Sequence, residues 1–168
     1  MSIRAKKNKA VKQQKEVVDL LRAIFCPPLE DDDILSQNMG QSGTDVILTP
    51  AAKKLIPFDT ECKWHSDKTW RGSCISSLEQ TIKNTNKERI PLLVRRKNRA
   101  ENRFILPVSF LRTKKDIMEE QIVSMGDVKS MLICYKDVMV AIHNGIMYAN
   151  IPQIKFIELI AWYKKSKH

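Results

Sequence analysis

Residues 40–63 read Gly-Gln-Ser-Gly-Thr-Asp-Val-Ile-Leu-Thr-Pro-Ala-Ala-Lys-Lys-Leu-Ile-Pro-Phe-Asp-Thr-Glu-Cys-Lys. Two short apolar runs, Val46 to Leu48 and Ile56 to Phe58, flank a stretch containing Pro50, a pattern that predicts a β-hairpin. Side chains alternate across a strand, so Glu61 and Lys63 share one face and Cys62 points to the other. A carboxylate and an ammonium then stand side by side, with a second carboxylate, Asp45, expected on the neighbouring strand. Two converging carboxylates suit Mg²⁺, a hard cation that takes oxygen ligands and keeps several waters. A lysine beside them can steady a scissile phosphate or the attacking water. The plainer alternative is a set of solvated surface charges.

The pattern Asp45…Glu61-Cys62-Lys63, with Gly43 ahead of Asp45, resembles the PD-(D/E)xK nucleases. This is the restriction-endonuclease-like family that includes Holliday junction resolvases. The resemblance covers about residues 10–112. It implies an α/β fold: a restriction-endonuclease-like core, a small mixed β-sheet flanked by helices. It also implies that Asp45, Glu61 and the Cys62 backbone carbonyl hold Mg²⁺, for which Mn²⁺ substitutes, and that Lys63 is catalytic. Glu16 best matches the family's first-helix glutamate that reaches the metal, with Asp19 as its rival. Gln80 matches a glutamine that the family carries on the helix after the motif. The loop before Asp45 resembles that of phage-type members, which makes Gln41, Ser42 and Thr44 candidate phosphate contacts. Resolvase-like members are dimers that act on branched DNA, so a homodimer acting on branched DNA is the implied assembly.

Length and charge fit that reading without requiring it. The 168 residues suffice for one domain with a sizeable core, and the chain is 43% hydrophobic and 29% charged. A formal charge of +10 favours a polyanion, most commonly nucleic acid. No apolar run is long enough to span a bilayer, and no signal-type stretch follows the basic N-terminus. The chain is expected to remain where it is made, in the cytoplasm (the host's, if phage-encoded), with no membrane partner and no organic cofactor. Cys26, Cys62, Cys74 and Cys134 form no C-x-x-C pair, and they read as reduced, mostly buried thiols.

Residues 1–9 read as a basic flexible arm, followed by a helix over about 10–25 with Val17, Leu20, Leu21 and Ile24 at core-facing spacing. Pro27 and Pro28 end it. The acidic run Glu30 to Asp33 reads as a loop. After Lys63, Trp64 and Trp70 lie in a polar loop where exposed rings can stack on unpaired bases or cover a core edge. His65, in the same loop, is a weak candidate proton donor. A helix from Ser73 or Ser76 to about Asn86 carries Leu78 and Ile82 inward. Ile90 to Arg95 reads as a buried strand. Over 83–103, eight basic residues stand against Glu88 and Glu101, and Arg95, Arg96, Lys97 and Arg99 form its densest part. This is the expected DNA-backbone patch, or else a solvated basic hairpin.

Residues 113–168 carry no family feature. They predict a helix over 114–124, strands at Met131 to Tyr135, Val138 to His143 and Ile146 to Ala149, and a last helix over about 153–165. Asn144-Gly145 marks a type I′ turn. The expected organisation is therefore a basic arm (1–9), a nuclease core (10–112) and a helix, β-hairpin and helix extension (113–168). The leading function is a metal-dependent DNA endonuclease, with a repair or recombination nuclease on other DNA as a variant. A non-catalytic DNA-binding protein is the alternative from another class. An RNA-binding module ranks last, because aromatics make up only 7% and no RRM-like motif is present.

Overall fold

Residues 3–25 contain no glycine or proline and are rich in Ala, Lys and Gln, so nothing interrupts a helix there. They form a single helix, α1 (Ile3–Phe25), in the computed structural model, which describes residues 3–38, 41, 43–65, 72–111, 130–135, 138–143 and 145–166. The helix therefore begins within the segment expected to be a flexible arm. Gln13, Gln14, Val17, Val18, Leu21 and Phe25 are its buried stripe. The chain divides into two compact units, Met1–Asn102 and Arg103–His168.

In the first unit, β1 (Ile34–Ser36) pairs antiparallel with β2 (Val46–Leu48), from Ile34 against Leu48 to Ser36 against Val46. The expected hairpin around Pro50 is absent. A helix, α2 (Pro50–Leu55), occupies the connection. Thr49 is its N-cap, its hydroxyl accepting from Ala52 N at 3.3 Å, and Pro50 takes the first turn, where its missing N–H costs nothing. The same hydroxyl donates to Asp33 Oδ1, which ties the acidic run, a 3-10 turn at Asp31–Asp33, to the start of α2.

Strand β3 (Phe58–His65) pairs parallel with β4 (Ile90–Lys97), with α3 (Gly72–Asn84) between them in sequence. Parallel neighbours need such a crossover. Leu92, Leu93 and Val94 have no exposed surface, as expected for a strand covered on both faces. Alternation assigns the faces. Asn84 of α3 bonds Glu61, and Ser77 Oγ lies 3.4 Å from His65 Nε2, so α3 covers the Glu61, Lys63 and His65 side. Lys9 of α1 lies over the Trp64 ring, and Gln13 Nε2 donates to Val94 O at 3.2 Å, so α1 covers the other.

Asp59 and Arg89 lock the amino-terminal ends of β3 and β4. Arg89 pairs with Asp59 Oδ1 and donates to the carbonyls of Lys53, Ile56 and Phe58, while Asn86 N donates to Asp59 Oδ2 at 2.9 Å.

The second unit contains β5 (Arg103–Pro107), α4 (Val108–Leu111), β6 (Ser130–Tyr135), β7 (Val138–His143), β8 (Ile146–Pro152) and α5 (Gln153–Ser166). Its strands run antiparallel, β5 against β8, β8 against β7 and β7 against β6. Gly145 has φ +74°, the left-handed value that a tight turn between β7 and β8 requires. Phe104 and Phe156 are fully buried and stacked, with centroids 4.1 Å apart. The expected helix over 114–124 lies outside the described residues. Overall the fold is α/β, with parallel and antiparallel strands flanked by helices and a helix at the C-terminal end. Among the described residues, no helix is long and apolar enough to cross a membrane.

Candidate functional site

Asp45 precedes β2, yet two bonds fasten it to β3. Its own N–H donates to Thr60 O at 2.9 Å, and its Oδ2 accepts from Cys62 N at 2.6 Å. Gly43, just before it, has φ +119°, where any side chain is strained. Glycine lets the chain turn into Asp45 without that strain. Gln14 of α1 donates to Asp45 Oδ1 at 2.5 Å.

Glu61 is almost fully buried, and Asn84 Nδ2 donates to its Oε1 at 2.7 Å. Lys63 Nζ lies 3.3 Å from its Oε2, and Lys63 itself keeps 27% of its side chain exposed. Burial raises the Glu61 carboxyl above its usual range; the Asn84 bond opposes this, Asp45 adds to it, and Lys63 opposes it. Glu61 and Lys63 thus share one side of β3 as the alternation predicts, while Asp45, expected on a neighbouring strand, lies in the bend before β2 and is near enough for its charge to act on Glu61. The Cys62 thiol is pushed well above its usual value by burial, then by Asp45 and Glu61, so it stays a neutral thiol.

Among the described residues, each of the four carboxylate oxygens has one protein donor, which leaves a second lone-pair position on each. Two such carboxylates, Glu61 raised chiefly by its burial, are hard oxygen donors of the kind that a divalent cation takes. Among the described residues, no group of three or more His, Cys, Asp or Glu could hold a metal. A cation at this pair would draw its remaining ligands from the Cys62 carbonyl and water.

Other expected residues fall elsewhere. Glu16 pairs with Arg96, because residues two apart on a helix do not share a face. The α1 residue at the acid pair is instead Gln14. Asp19 lies 3.8 Å from Arg22. Gln80 is exposed, and Asn84, one turn later, reaches Glu61. Thr44 donates its hydroxyl to Val46 O at 3.1 Å, and Gln41 is exposed. Ser42 lies outside the described residues, as do Trp70 and the side chain of Cys134. His65 falls to about 4 through burial and then the charges of Arg95 and Lys63, so it is neutral near pH 7 and lacks the imidazolium proton that a general acid gives.

The basic cluster also separates. Arg95 pairs in register with Lys63 and points to the α3 face, where it is fully buried against the Cys74 thiol. It is thus not a surface contact for DNA. Arg96, in register with Trp64, points to the α1 face and meets Glu16. Arg89 belongs to the Asp59 lock, and Arg103 bonds Asn150 within the second unit. Lys97 and Arg99 remain near the surface, with Arg96, around an open cleft of about 520 Å³ that Lys9, Lys12 and Trp64 also line.

No family model, curated protein or solved structure matches this chain.

Proposed function

We propose that the chain is a Mg²⁺-dependent DNA endonuclease of PD-(D/E)xK, restriction-endonuclease-like type, acting on branched DNA. One observation carries the reading: Asp45 accepts from the N–H of Cys62, the neighbour of Glu61, its charge acts on Glu61, and the Lys63 ammonium lies 3.3 Å from Glu61. A net charge of +10 and a cation-lined cleft supply attraction for the polyanion. Asp45, Glu61 and the Cys62 carbonyl would hold the metal, which supplies charge neutralisation at the scissile phosphate and an acidified water. Lys63 Nζ orients that water or stabilises charge on the phosphate oxygens. Gln14 and Asn84 keep the two carboxylates aimed. Action as a homodimer in the cytoplasm completes the proposal.

Cleavage of a labelled four-way junction, a matched duplex and a single strand, in Mg²⁺, Mn²⁺ or EDTA, tests it. Asp45→Asn and Lys63→Ala should abolish cutting and leave binding largely intact. Full activity in either variant sinks the site. A second reading, a non-catalytic DNA-binding protein, draws on the protein donors already present at all four carboxylate oxygens. Tight binding without cutting in any metal would select it.

A further inference from the structure

The cleft on the α1 face of β3 and β4 has features that hydrolysis does not use. Among the described residues, five of the seven that line it are cations and none is acidic. Trp64 is the one aromatic among them. Lys9 Nζ is held above its ring, 4.8 Å from the centroid, by a 2.8 Å bond to Asn98 Oδ1. Arg96 is oriented by Glu16 and by Ala100 O, at 2.9 Å. Two of the lining side chains, Lys9 and Arg96, thus have partners in the free protein, and the volume between the walls is open.

We infer that this cleft is a subsite for one unpaired nucleotide of a DNA strand, its base stacked on Trp64 and its phosphate held by Lys9, Lys12 and Arg99. An aromatic face amid cations accepts any base, because every base has a π-face. Stacking is worth roughly 5- to 150-fold in affinity per base, whereas an exposed cation–π contact is worth roughly 2- to 5-fold. A base therefore displaces the Lys9 ammonium from the ring, and the ammonium turns to the phosphate. Bases inside a duplex are already stacked and cannot enter, so the subsite selects unpaired DNA. Trp64 and Glu61 point to opposite faces of β3, which makes this a binding element apart from the acid pair. The choice of DNA rests on the proposed function, but the stacking itself does not depend on hydrolysis.

The test compares a fluorescein-labelled dT12 strand with an abasic strand of the same length, by anisotropy in EDTA at fixed salt. Wild type should prefer dT12 by roughly 5-fold or more, and Trp64→Ala should remove that preference. Lys12→Glu and Arg99→Glu should weaken both strands alike. Equal binding of the two strands by wild type, or equal losses on both in Trp64→Ala, overturns the subsite. Should Trp64→Ala fail to fold, a Trp70→Phe, Trp162→Phe protein retains Trp64 as its single tryptophan. Its fluorescence should be quenched by dT12 and not by the abasic strand; an unchanged signal with bound dT12 overturns the proposal. Junction cleavage in Mg²⁺ is a separate arm. A stacking preference without cleavage removes the nuclease and keeps the subsite, and cleavage without the preference does the reverse.

Discussion

Gln14 donates its side-chain amide to Asp45 Oδ1 at 2.5 Å, although one lies on α1 and the other just before β2, 31 positions apart. The bond fixes one oxygen of Asp45 while Cys62 N fixes the other. Replacing Gln14 by Ala should therefore leave the fold intact and lower cleavage by roughly 10- to 100-fold, the usual cost of losing a partner that aims a ligand. Circular dichroism and a metal titration of activity check this; unchanged activity would mean that Cys62 N alone suffices.

Burial raises the Glu61 carboxyl above its usual range, so its charged form should cost stability. Glu61→Gln removes the charge and keeps an acceptor for Asn84. It is expected to abolish cleavage and raise metal-free stability by about 0.5–2 kcal/mol, the scale of relief at strained functional positions. Thermal melts in EDTA decide it, and a lowered melting temperature would show that the Lys63 pairing outweighs the burial.

The pH dependence of folding should carry a His65 signature. The unfolded imidazole binds its proton near pH 6.5, but the folded one does so only at about 4. Its contribution is therefore fully present above 6.5 and is lost as pH falls from 6.5 towards 4. His65→Gln should flatten that loss by about 1–2 kcal/mol, allowing for solvent screening. Urea melts at pH 7 and pH 4.5, for wild type and variant, measure the difference.

Arg89 is basic but should matter little for nucleic acid. Arg89→Ala strands Asp59 and frees the carbonyls of Ile56 and Phe58, so a loss of about 3 kcal/mol is expected. Once the variant is stabilised by low temperature, its DNA affinity should match wild type. A weakened affinity with unchanged stability would return Arg89 to the binding surface.

Alternation on one strand was the legible part of the site, because it depends only on local geometry: Glu61 and Lys63 do share a face. The connection between Asp45 and Glu61 was misread where apolar runs outweighed a helix-start signal, Thr49-Pro50 before Ala-Ala-Lys-Lys-Leu. The aiming amides were missed for a different reason. Gln14 precedes Val17 and Val18 on the buried stripe, and Asn84 follows Ser77 and Thr81 at helical spacing. Both signals were present, but polar residues on an apolar stripe were not weighed as inward. The fates of Arg95 and Arg96 needed the register with β3 and the identity of the helix over each face. Neither is written in the basic run itself.

The two hydrogen bonds that anchor Asp45 to Thr60 and Cys62 have one more consequence. They hold Asp45 directly against the edge of β3, so its place beside that strand is not set by the length of chain from Val46 to Pro57 alone. That segment has other duties, since Val46, Leu48, Ala52 and Ile56 are core and the Ile56 carbonyl accepts from Arg89, but the spacing of the acids is not among them. A pattern defined by the number of residues between two acids describes only one such connector, and the chemistry belongs to the splice that the connector leaves untouched.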